Sequence, residues 1–294
     1  MKHSILVLIG SILLLNCTRP ERSLDLQGHR GARGLFPENS LLGFEKALEI
    51  PEVSTLELDL CVTADDQLII SHEPWLNEQI CAINDTSKEG STYSLYKMTY
   101  DSILQFDCGS KGHPDFPEQQ LASISKPLLK ELFAMIDEKG LRWPNFNIEI
   151  KSHRKGDHLY HPGPKKFAAL VVETLNELNE AYPEADVLNK VSIQSFDLRA
   201  LREVRKTALQ VKLCLLVENT ADPAKQMDYL GFPVDIYSPN FKLVTPELIA
   251  WCHFRQIAVI PWTINDLEEM QNLVDMGVDG LISDYPNKFN ALDY

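Results

Sequence analysis

The chain of 294 residues has only one marked apolar run, Ile5 to Leu15. That is about half of the roughly 20 residues a spanning helix needs, which excludes a multi-span membrane protein. Clustered cations are also missing: 28 Lys and Arg stand against 42 Asp and Glu, a net charge of −14, and no basic stripe gathers them. Duplex nucleic acid and anionic membrane surfaces both require such a stripe and are excluded as partners. A phosphate site in this chain must therefore be built locally. The six cysteines include no Cys-x-x-Cys, which argues against a thiol redox site or a zinc knuckle. There is no internal repeat and no low-complexity tract. With 44% hydrophobic and 24% charged residues, the composition is that of a globular protein with a large core.

The N-terminus reads as a targeting segment. Lys2 and His3 precede the apolar run, which is the shape of a secretory signal peptide over residues 1–16. The run ends in Leu15-Asn16-Cys17 and resembles the lipobox of bacterial lipoproteins, with Cys17 as the acylated mature N-terminus. Asn16 departs from the small residue usual there. These features lead us to expect an exported chain, anchored through lipid and facing the periplasm or the cell exterior. Five cysteines then remain for an oxidising compartment. Cys81 and Cys108 share a loop-rich stretch and are the best candidate pair; the alternative is that all five are small buried apolar residues.

From residue 24 to 294, short apolar runs alternate with amphipathic stretches, the pattern of a parallel α/β fold in a single domain. Nine strands are expected, at 24–28, 55–60, 68–71, 146–150, 191–194, 211–217, 234–237, 257–261 and 280–282. Seven helices fall between them, at 40–49, 127–139, 165–179, 198–206, 223–229, 246–254 and 267–276. Thr245-Pro246 places a capping hydroxyl before a proline at the first helical position, and Ser125, Pro127 and Glu131 mark another start. Nine strands are one too many for an eight-stranded barrel. Residues 61–67 are too short for a crossover helix and are expected to be a bare connection running back along the wall. Residues 73–123 have no periodic run and read as an insertion above the barrel.

Polar residues close successive strands. His29 ends the first, and His72 ends the third. In Leu56-Glu57-Leu58-Asp59-Leu60, strand alternation sends both carboxylates to one face and the leucines to the other. Glu149 and Lys151 repeat the spacing. Three carboxylates converging in a barrel mouth would repel one another unless a cation sat between them. Oxygen ligands without Cys or a His pair favour Mg²⁺ or Ca²⁺ over zinc. Two histidines then suit a general acid and a general base, and Arg30 and Lys151 suit an anionic substrate such as a phosphodiester.

Taken in order, His29-Arg30-Gly31, Pro37-Glu38-Asn39-Ser40, Glu57-x-Asp59, His72 and Glu149-x-Lys151 resemble the glycerophosphodiester phosphodiesterase family. So do Gln194-Ser195-Phe196, Pro261 to Asn265 and Val278 to Asp284. The resemblance implies a TIM (β/α)8 barrel with a small capping insertion after the third strand. It also implies metal-dependent hydrolysis of glycerophosphodiesters to glycerol 3-phosphate and an alcohol. In the matched positions, His29 and His72 are the acid/base pair and Glu57, Asp59 and Glu149 bind one divalent cation. Arg30 and Lys151 contact phosphate, and Trp262 forms a wall near the glycerol, a position the residues alone leave open between that wall and the core. The nucleophile is either water or the neighbouring glycerol hydroxyl. Glu73 after His72, and Gln67 after Asp66, depart from the family's usual Asp and Gly.

Some residues are assigned less directly. Glu38 and Asn39 are expected either to cap their loop or to support the ion site from behind rather than to contact the ion, and Gln194 either reaches the mouth or is structural. His153, His158 and His161 form a loop that either touches a headgroup or is solvated. Two rival functions are a barrel acting on lysophospholipids or phosphoinositol and a non-catalytic surface lipoprotein that binds headgroups. The polarity of 73–123 disfavours an acyl-chain site, and the retained histidines and acids disfavour mere binding.

Overall fold

The computed structural model describes residues 23–83, 93–208 and 210–294; the targeting segment and Cys17 lie outside the described residues. Eight parallel strands follow one another around a barrel: β1 (Asp25–Gly28), β2 (Thr55–Val62), β4 (Asn145–Ile150), β5 (Val191–Ser195), β6 (Lys212–Val217), β7 (Ile236–Pro239), β8 (Ala258–Val259) and β9 (Gly280–Ser283). Backbone bonds close it between the last two. Asp279 N donates to Val259 O at 2.8 Å and Ile282 N to Pro261 O at 3.1 Å. The architecture is the TIM barrel.

The remaining strand, β3 (Leu68–Ile70), pairs antiparallel with β2, Leu60 opposite Ile70. The third strand is thus the extra one and not a barrel stave, and residues 61–67 hold no helix, as expected, but turn instead of running back along the wall: Cys61 and Val62 extend β2, and Thr63 turns the chain by bonding Asp65 and the Gln67 backbone. Five residues are enough for a hairpin but not for a parallel crossover.

Helices α1 (Leu41–Leu48), α3 (Leu129–Glu138), α4 (Pro164–Ala181), α6 (Leu198–Thr207), α7 (Pro223–Leu230), α8 (Pro246–His253) and α9 (Leu267–Met276) clothe the barrel, within two residues of the expected bounds, and a short α5 (Val187–Lys190) leads into β5. Their starts are set by local chemistry. Thr245 accepts from Leu248 N at 3.2 Å, and Asp266 from Glu268 N and Glu269 N. Ser125 is not the cap of α3; it donates to Leu104 O, and Glu131 instead accepts from Leu128 N at 2.8 Å. Between barrel and helices lies the main core, where Leu56, Leu58 and Leu60 of β2 are fully buried. Among the described residues, no helix is long and apolar enough to cross a membrane.

The segment after β3 sits over the mouth with a core of its own, in which Leu76, Ile80, Tyr93, Leu95 and Ile103 pack on Cys61 and Ile69 of the hairpin. It holds α2 (Tyr100–Ile103) and a Cys81–Cys108 disulfide. Cys61, Cys214 and Cys252 are buried thiols. The segment is tied to the loop after β1: Gln119 Nε2 donates to Arg33 O at 2.6 Å, and Gln120 N to Leu35 O at 2.7 Å.

Phe133 of α3 is fully buried and stacks on Phe146 of β4 with ring centroids 4.6 Å apart. Phe133→Ala is expected to destabilise the fold by about 3–5 kcal/mol, as for other core aromatics. Denaturant titration checks this, and a loss under about 1 kcal/mol would contradict the packing described.

Candidate active site

Strand register assembles the site. β2 and β4 pair with Asp59 opposite Glu149, and β4 and β5 with Glu149 opposite Gln194. The inward carboxylates of Glu57, Asp59 and Glu149 consequently converge, each offering an oxygen within 4.8 Å of the others, and all three are buried.

A hydrogen-bonded chain across the barrel interior supports them from below. Gln27 Oε1 accepts from Asn147 Nδ2 at 2.8 Å, Gln194 Oε1 accepts from the same amide at 3.0 Å, and Gln194 Nε2 donates to Glu57 Oε1 at 2.6 Å. Gln194 thus does both things the sequence left open, lining the cleft at the mouth and bonding within the interior chain. The opposite half of the interior is apolar, with Cys214, Ile236, Ile260 and Ile282 packed together.

The loop after β1 supplies the other side. Gly31 has φ 88°, and a Cβ there would lie 2.7 Å from the Gly43 carbonyl carbon, so the loop can cross α1 only with glycine at that point. Arg30 (φ 51°) and Asn39 (φ 50°) take the left-handed conformation that favours glycine. Each is held by bonds into the site. Arg30 N donates to Glu57 Oε2 at 2.9 Å, and its guanidinium reaches both Glu38 oxygens at 3.1 and 3.2 Å and lies 3.3 Å from Asp59. Asn39 Nδ2 donates to Asp59 Oδ2 at 2.8 Å. Asn39 thus bonds one of the carboxylates directly, whereas Glu38 reaches the cluster only through Arg30. Lys151 Nζ lies 3.0 Å from Glu149 and 3.7 Å from Asp59.

Both histidines have one ring nitrogen tied down. His29 Nδ1 donates to Asp284 Oδ1 at 2.6 Å, and Asp284 is held in turn by Asn265 Nδ2 at 2.7 Å. His72 Nδ1 donates to Glu73 Oε1 at 2.8 Å. The Nε2 atoms are left over; that of His29 stands 3.9 Å from Glu57. His29, Arg30, Glu57, His72, Glu149, Lys151 and Trp262 all line one cleft of about 210 Å³ at the carboxyl ends of the strands. Phe196 also lines it and meets Trp262 edge-on, centroids 5.5 Å apart.

The electrostatics follow from burial and neighbours. Burial, then the charge of Asp59, drives the Glu57 carboxyl well above its ordinary value, and the same two causes raise Glu149 once Lys151 has offset part of the effect. Burial acts against ionisation of Asp59 too, but Arg30 and Lys151 beside it hold it well below the usual range. Burial lowers His29 despite the attraction of Asp284. Two carboxyls whose ionisation is opposed by burial and by a third ionised beside them form a converging set of hard oxygen donors. A divalent cation fits it, and Glu57, Asp59 and Glu149 would hold that ion.

His153, His158 and His161 do not line this cleft. His161 is buried rather than solvated, donating from Nδ1 to Pro162 O at 2.9 Å and accepting at Nε2 from His153 N at 3.1 Å. It braces its own loop.

Sequence reasoning assigned no role to Asp284, Asn265, Glu73 or Arg33. A signal existed for Asp284, which ends the last strand as His29 ends the first; closing the barrel makes those strands neighbours. Arg33 gave none, since its route to the cleft depends on the turn at Gly31.

The model of the glycerophosphoryl diester phosphodiesterase family matches residues 29–288. The chain belongs to this family. A glycerophosphodiester phosphodiesterase of Caldanaerobacter subterraneus subsp. tengcongensis is 30% identical over 88% of this chain and 93% of its own, and one of Bacillus altitudinis 28% identical over 88% and 94%. A solved structure from Silicibacter pomeroyi DSS-3, a glycerophosphoryl diester phosphodiesterase by its provisional description, superposes with a TM-score of 0.79 at 27% identity, covering 94% of this chain and 96% of that one. Both glycerophosphodiester phosphodiesterases thus match across the whole barrel.

An ion that binds only the folded chain stabilises it, by about 2.7 kcal/mol at a hundredfold excess over Kd. Added Mg²⁺ or Ca²⁺ is expected to raise the thermal midpoint of the chelator-treated protein, and Glu149→Gln to abolish the rise. A wild-type midpoint indifferent to both ions would refute the ion site.

Proposed function

We propose that this chain hydrolyses glycerophosphodiesters to sn-glycerol 3-phosphate and an alcohol, using a divalent cation and two histidines. Its membership of the family and its relatives named glycerophosphodiester phosphodiesterase support the reaction class. The observation that carries the reading is the convergence of two histidines, each anchored at Nδ1, on a cleft that also holds the buried carboxylates, Arg30 and Lys151.

An ion bound at Glu57, Asp59 and Glu149, Ca²⁺ or Mg²⁺, would supply Lewis-acid polarisation of a phosphoryl oxygen and lower the pKa of a bound hydroxyl. The residues of the chain do the rest. Lys151 and the part of Arg30 not engaged by Glu38 and Asp59 offset the charge that develops on the phosphoryl oxygens. Asp284 and Glu73 orient the rings so that the Nε2 atoms of His29 and His72 take and give the protons, one at the attacking hydroxyl and one at the leaving oxygen. Trp262 and Phe196 give the carbon faces of the glycerol an apolar wall.

We extend the proposal to location: an exported chain held to the membrane by an acyl group on Cys17. The apolar run ending at that cysteine supports it, as does the Cys81–Cys108 disulfide, a bond that persists in oxidising compartments.

The purified protein is expected to release glycerol 3-phosphate from glycerophosphoethanolamine, to stop when chelator is added and to resume with Ca²⁺ or Mg²⁺. His29→Ala and His72→Ala should each lower kcat by about 10²–10⁴, the range for general acid–base groups, with the circular dichroism spectrum unchanged. Full activity in the double variant would overturn the assignment.

A further inference from the structure

One cation in the cleft has no part in this chemistry. Arg33 lines the same cavity, with its side chain 18% exposed, and its guanidinium is fixed from behind. Nε donates to Glu38 at 2.6 Å, Nη2 lies 3.1 Å from His113 Nε2, and the guanidinium carbon sits 4.8 Å over the ring of Phe116. His113 and Phe116 belong to the insertion, which also clamps the Arg33 carbonyl through Gln119. Nη1 makes no hydrogen bond to any described residue; the carboxylate it faces, Asp284, is 3.9 Å away and already engaged by His29 and Asn265. A guanidinium held rigid at two nitrogens, with the third free at a cleft wall, loses little entropy on binding an anion.

Its place around the barrel is informative. In the strand order, β1, which leads to Arg33, lies across the barrel from β6, which carries Leu216 of the apolar wall; Phe196 follows the neighbouring β5. A phosphodiester laid over the carboxylates therefore has one substituent on the apolar wall and the other toward Arg33. The glycerol, common to every substrate, suits the aromatic wall, and the variable alcohol faces the cation. We propose that Arg33 is a specificity-determining residue that favours diesters whose alcohol carries an anionic group, a carboxylate or a second phosphate. This inference rests on the reaction proposed above and adds the substrate class.

Glycerophosphoserine and glycerophosphoethanolamine differ only by a carboxylate on the alcohol, so their kcat/KM ratio isolates the contact. The ratio compares two substrates on one enzyme preparation and is independent of how much of a variant folds. The wild type is expected to favour the serine diester by about tenfold, the scale of one charge-assisted contact. Arg33→Gln should bring the ratio close to one through a higher KM for the serine diester, and Arg33→Lys, which keeps the charge but loses the fork, should fall between. A wild-type ratio at or below one, or a ratio unchanged by Arg33→Gln, overturns the inference while leaving the reaction standing. Failure of the wild type to hydrolyse either diester with either ion overturns both.

Discussion

Three carboxylates buried within 4.8 Å of one another are the constraint to which the rest of the mouth responds. Burying a carboxylate in a low-dielectric interior is costly, and burying three together multiplies the cost unless each charge finds a partner. The surroundings are arranged accordingly. Arg30 and Lys151 face Asp59, Gln194 and the Arg30 backbone bond Glu57, and Asn39 bonds Asp59. Two residues accept left-handed backbone conformations to make these contacts, a strain of order 1–3 kcal/mol each that is tolerated where the surroundings over-determine it.

The barrel interior is divided to the same end. The half beneath β1, β2, β4 and β5 is a chain of amides and hydroxyls; the half beneath β6 to β9 is aliphatic. The amides and hydroxyls of the first half bond one to the next, and Glu57 rests on that chain. A phosphodiester has the same two-sided character, an anionic centre flanked by carbon-rich substituents. The cleft presents Arg30, Lys151 and the two imidazoles along one arc and Phe196, Leu216 and Trp262 along the other.

The insertion contributes more than a cover. Its apolar cluster packs on the β2–β3 hairpin, and through Gln119, Gln120, His113 and Phe116 it holds the loop after β1. That loop carries Arg30 and Arg33, and Glu38 bonds both. Glu38 therefore links the insertion to the carboxylate cluster, and the charges of Arg30 and Arg33 hold it ionised against the burial that opposes it.

Much of this was written in the chain itself. Apolar periodicity marked all nine strands and the seven long helices, and alternation in Leu56-Glu57-Leu58-Asp59-Leu60 placed two acids on one face, because side-chain direction in a strand depends on parity alone. Residue type and order singled out His29, His72, Glu57, Asp59 and Glu149, and the fold brings these five to one end of the barrel. What needed the tertiary structure were relations between residues far apart in sequence: the antiparallel return of β3, the contact of Asp284 with His29 across 255 positions, the burial of His161, and the delivery of Arg33 into the cleft by residues 80 positions away. Local pattern specifies which face a side chain occupies. Register, barrel closure and the path of a loop specify what it meets there, and those are fixed by packing of the whole chain rather than by any one segment of it.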